Sequence, residues 1–150
     1  MDYKLLNSQL ASLTEGVENT VTNLANAAAL LWYSLENINW AGFYIFNGSE
    51  LLLGPFQGKP ACVKIPLGRG VCGTAAAEKR TQRVDNVHEF KGHIACDSAS
   101  NSEIVIPVFK SGELFGVLDI DSPEFCRFTE TDEEGLNEFV KVLEGALNAF

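Results

Sequence analysis

The sequence predicts an α+β domain: a central antiparallel β-sheet with N- and C-terminal helices packed on one face and a ligand pocket on the other. Helical patterns stand near both ends of the chain, and the middle is a meander of short β-rich runs separated by turn residues. Residues 1–150 read as one domain, since no repeat, low-complexity tract or Pro/Gly/Ser-rich linker interrupts them. An apolar content of 46% is enough for a core at this length.

The first helix is expected over about Thr20–Leu35, where TVTNLANAAALLWYSL is rich in Ala and Leu. Strands follow at Trp40–Phe46, Glu50–Pro55 and Ala61–Ile65, with a short one near Arg83 and a pair at Glu103–Phe109 and Glu113–Asp121. Lys110, Ser111 and Gly112 form a three-residue loop between the last pair, with Gly112 in the left-handed position. That register sets Glu103 against Asp119 and Val105 against Val117. A two-residue loop is disfavoured because it sets Glu103 against Ile120 and mixes polarity on both faces. The closing helix runs over about Glu130–Ala149, capped by Thr129 or Thr131, with Leu136, Phe139, Val140, Leu143 and Leu147 as its apolar stripe.

Alternation gives the sheet two characters. Ile104, Ile106, Val108, Leu114, Leu118 and Ile120 share an apolar face that suits the terminal helices. The opposite face ends in three carboxylates, Glu103, Asp119 and Asp121. On the strand at 40–46, Ala41, Phe43 and Ile45 suit the helix side, whereas Trp40, Gly42 and Tyr44 make an amphipathic aromatic wall of the kind that lines pockets.

The formal charge of −9 argues against nucleic acid, whose phosphates this surface would repel. No apolar run reaches membrane-spanning length, and the opening MDYKLLNSQL lacks a secretory apolar region, so the expected location is cytoplasmic. The four cysteines, 62, 72, 96 and 126, lack Cys-x-x-Cys or Cys/His zinc spacing, and in that compartment they are expected to be reduced thiols.

Five segments carry a resemblance: NINWAGFY (37–44), LGPFQGKPAC (53–62), GRGVCGTAA (68–76), GHIACDSASNSEIV (92–105) and GVLDIDS (116–122). Together they resemble the free methionine-(R)-sulfoxide reductases, small enzymes built as a single GAF domain, with cysteines at the family's three positions, ten and twenty-four residues apart. The resemblance implies a GAF-like fold and thiol-dependent reduction of the free amino acid's sulfoxide. A thiolate attacks the sulfoxide sulfur, a sulfenic acid forms, a second thiol condenses to a disulfide, and thioredoxin resets the enzyme. It implies no metal or organic cofactor.

Cys96 is the expected nucleophile, sharing its segment with Glu103 and preceded by Ile94 and Ala95, whose backbone amides suit the substrate carboxylate. The resemblance makes Cys62 the resolving partner. Cys72 is a second candidate and, at a helix start, is expected to have a lowered pKa. Glu103, crowded by other acids, is expected to stay protonated and donate to the sulfoxide oxygen. Asp119 and Asp121 would hold the ammonium group, and Trp40 and Tyr44 the apolar end of the substrate. Cys126 lies outside the five segments and is expected to be partly buried near the last helix. His88 and His93 read as structural hydrogen bonders. A homodimer through the terminal helices suits the fold. The rival reading is a GAF sensor that binds a small molecule without redox turnover.

Overall fold

The computed structural model describes residues 1–93 and 99–150. Six antiparallel strands form one sheet in the order β3-β2-β1-β6-β5-β4. They are β1 (Trp40–Phe46), β2 (Glu50–Gly58), β3 (Lys64–Pro66), β4 (Gln82–Val84), β5 (Ser102–Lys110) and β6 (Glu113–Ser122). Helices α1 (Tyr3–Thr14), α2 (Thr20–Ser34) and α4 (Glu130–Asn148) cover one face, and α3 (Gly70–Glu78) lies on the other.

The two-faced sheet follows from strand alternation. Ala41, Phe43, Ile104, Ile106, Val108, Leu118 and Ile120 pack with the apolar stripes of α1, α2 and α4 in one buried cluster. Trp40, Tyr44, Val105 and Val117 point the other way and pack with Leu51, Ile65 and α3 residues Val71, Cys72, Ala75 and Ala76. Among the described residues, no helix is long and apolar enough to cross a membrane.

Besides β3, which starts at Lys64 rather than at the expected Ala61, three elements differ from the sequence expectation. Helix α1 was not anticipated. Its buried stripe is only Leu6, Leu10 and Thr14, while Leu5 and Leu13 stay exposed, so no wide apolar face marks it. Asp2 caps it by accepting from Leu5 N at 3.0 Å. The Tyr3 ring then lies where a Cβ on Gly135 of α4 would stand, a close approach that needs glycine. Strand β2 continues past Pro55 to Gly58, because a bulge between the Gly42 and Tyr44 pairings accommodates a residue that has no N–H to give the ladder.

The third difference is the β5–β6 hairpin. Its loop has two residues, Ser111 and Gly112, both in the left-handed region (φ 53° and 78°) that such tight turns require. Lys110 pairs with Glu113 and Phe109 with Leu114; Val108 then pairs with Gly116, leaving Phe115 as an extra residue. The bulge restores side-chain parity, so Glu103 pairs with Asp121 and Val105 with Asp119. The expected register, Glu103 with Asp119, is displaced by two residues. A displacement of two preserves the face, so the three carboxylates still share it.

Candidate active site

The pocket opens on the α3 side of the sheet and is lined by Trp40, Tyr44, Pro60, Ala61, Ile65, Arg69, Gly70, Val71, Cys72, His93, Ser100, Glu103, Asp119 and Asp121. Seven of the sequence-predicted site residues therefore sit at or beside it: Trp40, Tyr44, Cys72, Glu103, Asp119 and Asp121 in its wall, and Cys62 next to wall residue Ala61. The expectations for Ile94, Ala95 and Cys96 lie outside the described residues. Both flanks of that stretch, His93 and Ser100, line the pocket.

The aromatic wall also fixes a neighbouring segment. Trp40 is stacked between Tyr44 (ring centroids 5.9 Å apart) and Phe56 (5.1 Å). Trp40 Nε1 donates to Lys59 O at 3.1 Å and the Tyr44 hydroxyl to Cys62 O at 2.8 Å, which ties residues 59–62 down at the pocket edge. The exposed Lys59 is thus anchored through its carbonyl, which accepts from Trp40. Cys62 is disulfide-bonded, whereas Cys72 and Cys126 carry free thiols.

At the pocket floor, β5 and β6 bring the acids together. Glu103 and Asp119 are buried, and Cys72 Sγ stands 3.9 Å from Glu103 Oε2. Burial first, then Asp119 and Asp121, push the Glu103 carboxyl well above the usual carboxylate range, so it holds its proton. Burial raises Asp119 as well. Asp119 shares side-chain hydrogen bonds with Glu103, Asp121 and Cys72, while its Oδ1 atom is buried with no partner among the described residues. Tyr44 is pushed upward by burial and by Asp119, and remains a neutral hydroxyl.

The expectation of a lowered pKa at Cys72 is overturned. Cys72 does stand in the first turn of α3, but burial and then the charges of Asp119 and Glu103 push the thiol well above its usual value. A helix terminus supplies only partial charges, and here the loss of water and the neighbouring acids outweigh them. Cys126 was expected partly buried and is instead exposed.

Three residues escaped the sequence reading. His93 was read as a structural hydrogen bonder, yet it lines the pocket; burial and then His88 hold its imidazolium form down. Arg69, the residue before α3, brings a cation to an otherwise acidic pocket. Ser100 accepts from Asn39 Nδ2 at 3.1 Å and is buried in the wall. The signal for Arg69 was its place in GRGVCG just ahead of a helix start; nothing local marks Ser100.

A sheet with a pocket of this kind between its α3 face and its loops defines a GAF domain, and the model of that domain matches residues 10–147. The free methionine-R-sulfoxide reductase of Escherichia coli is 54% identical over 97% of this chain and 88% of its own. The structure of fRMsr of Staphylococcus aureus in complex with substrate superposes with a TM-score of 0.93 at 54% identity, covering 97% of this chain and 95% of that one. The free methionine-R-sulfoxide reductase from Neisseria meningitidis, also in complex with its substrate, gives a TM-score of 0.93 at 44% identity, covering 97% of this chain and 87% of that one. The chain belongs to the free methionine-R-sulfoxide reductase family of GAF proteins.

Proposed function

We propose that this protein reduces the R epimer of free methionine sulfoxide with its own thiols and is recycled by thioredoxin. The observation that carries the proposal is the meeting of protonated Glu103, Asp119 and Asp121 beneath the Trp40–Tyr44 wall, in a pocket bordered by both flanks of the Cys96 segment. Asp119 and Asp121 receive the substrate ammonium by charge-assisted hydrogen bonds, which suits the unsatisfied Asp119 Oδ1. The backbone amides of Ile94 and Ala95 receive the carboxylate. Trp40 and Tyr44 face the sulfur and its methyl group.

Cys96 gives up its proton and attacks the sulfoxide sulfur while Glu103 protonates the oxygen. Methionine leaves, the oxygen ends on Cys96 as a sulfenic acid, and the proton lost by Cys96 restores Glu103. Cys62 then attacks the Cys96 sulfur, water departs, and a disulfide forms. Support for that pair comes from Cys62 being disulfide-bonded while Cys72 and Cys126 remain thiols. A dithiol of the thioredoxin type exchanges with it and regenerates both cysteines.

One equivalent of free (R)-sulfoxide, added to reduced protein without reductant, tests the scheme. The expected result is one equivalent of methionine, a mass loss of two hydrogens and a mapped 62–96 disulfide. A Cys96→Ser protein that still releases a full equivalent overturns the assignment. A sensor of the same fold would bind without any mass change, so the same measurement separates the two classes.

A further inference from the structure

Cys72 is a buried free thiol that the proposed cycle does not use, and it is held against two carboxylates. Cys72 Sγ and an oxygen each from Glu103 and Asp119 all lie within 4.8 Å of one another. A tetrahedral zinc ion holds one sulfur and its oxygen ligands about 3.5 Å apart, given bond lengths near 2.3 and 2.0 Å. The Cys72–Glu103 pair, at 3.9 Å, needs to close by about 0.4 Å, and no pair by more than roughly 1.5 Å.

A cluster of acids alone does not define a metal site, since solvent and protons can satisfy it. Here Asp119 is 5% exposed, lines the pocket, and has its Oδ1 buried with no donor among the described residues. That oxygen is an acceptor waiting for a cation or a donor. Ammonium is one answer. The adjacent thiol makes a second, because sulfur adds nothing to the binding of an ammonium group but a great deal to that of a borderline-soft metal. His93 lines the same pocket but lies outside that three-residue group, which leaves a fourth position to water.

We propose that the pocket floor is a Zn²⁺ site built from Cys72, Glu103 and Asp119, with water in the fourth position. Binding expels the thiol and carboxyl protons to solvent and leaves a thiolate and two carboxylates around the ion. The thiolate selects zinc over magnesium or calcium, which prefer oxygen alone. On the functional reading above, the ion occupies the oxygens that hold the ammonium and the proton donor. Zinc and substrate then exclude one another, and zinc is a reversible inhibitor rather than a participant in the reaction.

Anaerobic titration of reduced, metal-free protein with Co²⁺ as the probe tests the site. The expected result is a thiolate-to-cobalt charge-transfer band that saturates at one equivalent and is bleached when Zn²⁺ displaces the probe. Cys72→Ser should lose the band, while Glu103→Gln and Asp119→Asn, which keep the thiol, should bind Co²⁺ at least tenfold more weakly. Absence of the band in the wild type, or a full band in Cys72→Ser, overturns the site. So do unchanged affinities in both carboxylate variants, which settles the question even if Cys72→Ser folds poorly. Turnover of free methionine sulfoxide in the presence of a chelator is measured separately. Normal turnover without a cobalt band sinks the metal site alone, and a band without turnover sinks the enzymatic reading alone.

Discussion

Glu103 shares its face of the sheet with Asp119 and Asp121, has Cys72 Sγ 3.9 Å away, and is shut off from the water that would solvate another negative charge. Its carboxyl is therefore neutral in the folded protein at pH values where the unfolded chain ionises it. Folding then takes up a proton. The Glu103 contribution is most favourable below the ordinary carboxylate pKa of about 4.3 and is progressively lost as pH rises from there toward the raised folded value. Glutamine keeps the shape and has no charge to suppress. Glu103→Gln should raise unfolding free energy at pH 7–8 by about 0.5–2 kcal/mol and flatten its decline with pH. The same change should slow methionine release by about 10²–10⁴-fold, because glutamine cannot protonate the departing oxygen. Chemical denaturation at several pH values and single-turnover assays read both effects. A variant less stable than wild type at pH 8, with undiminished turnover, would show that Glu103 is an ordinary buried carboxylate partner.

Elements are held in place by groups of the opposite electrostatic type. Asp132 closes the capping box of α4 with Thr129, accepts from the Tyr3 hydroxyl at 2.6 Å and pairs with Arg127 at 3.3 Å. Burial works against its charge, but the Thr129 bonds, the Tyr3 bond and Arg127 together draw its carboxyl below the usual value. Its contribution is thus present above the unfolded pKa of about 3.9 and is lost as pH falls through the lower folded value, opposite in sign to that of Glu103. Asp132→Ala should cost about 2–3 kcal/mol at pH 7, from a lost cap, a stranded Tyr3 hydroxyl and a broken ion pair. Equilibrium unfolding checks this, and a loss under 0.5 kcal/mol would mean that α1 docks on α4 by packing alone. Helix α4 was legible because its stripe and Thr129 are both local signals. Helix α1 was not, since its stability comes from Tyr3 meeting Gly135 and Asp132, contacts more than a hundred residues away in sequence. The hairpin shows a third situation. Side-chain period forced the acids onto one face, so that much was readable, but a compensating bulge at Phe115 has no local signature and moved the register by two.

At the scale of the whole molecule, the sheet divides two kinds of work. Its helix face buries the larger apolar cluster, while its other face places acids, aromatics and a thiol around a pocket. The acids and aromatics were readable as separate hints, whereas the tethering of residues 59–62 and the entry of Arg69, His93 and Ser100 depend on loops folding over the sheet. That closure bears on which substrates enter. On the proposed function, an ammonium group set on Asp119 and Asp121 would lie at the pocket floor, beside a rim held by Trp40 and Tyr44, and a peptide chain continuing from that nitrogen would have to pass through the wall. Acetylation of the nitrogen removes the charge, most of its donors and the fit at once. Charge-assisted hydrogen bonds of this kind contribute about 1.5–3 kcal/mol each, so kcat/KM on N-acetylmethionine sulfoxide should fall by at least about 10²-fold relative to the free amino acid. Asp119→Asn should slow the free substrate far more than the acetylated one, narrowing that ratio. Competing the two substrates against wild type and variant measures it directly. Equal rates on both substrates would place the ammonium outside the carboxylate cluster, and an unchanged ratio in Asp119→Asn would leave exclusion to the shape of the rim alone.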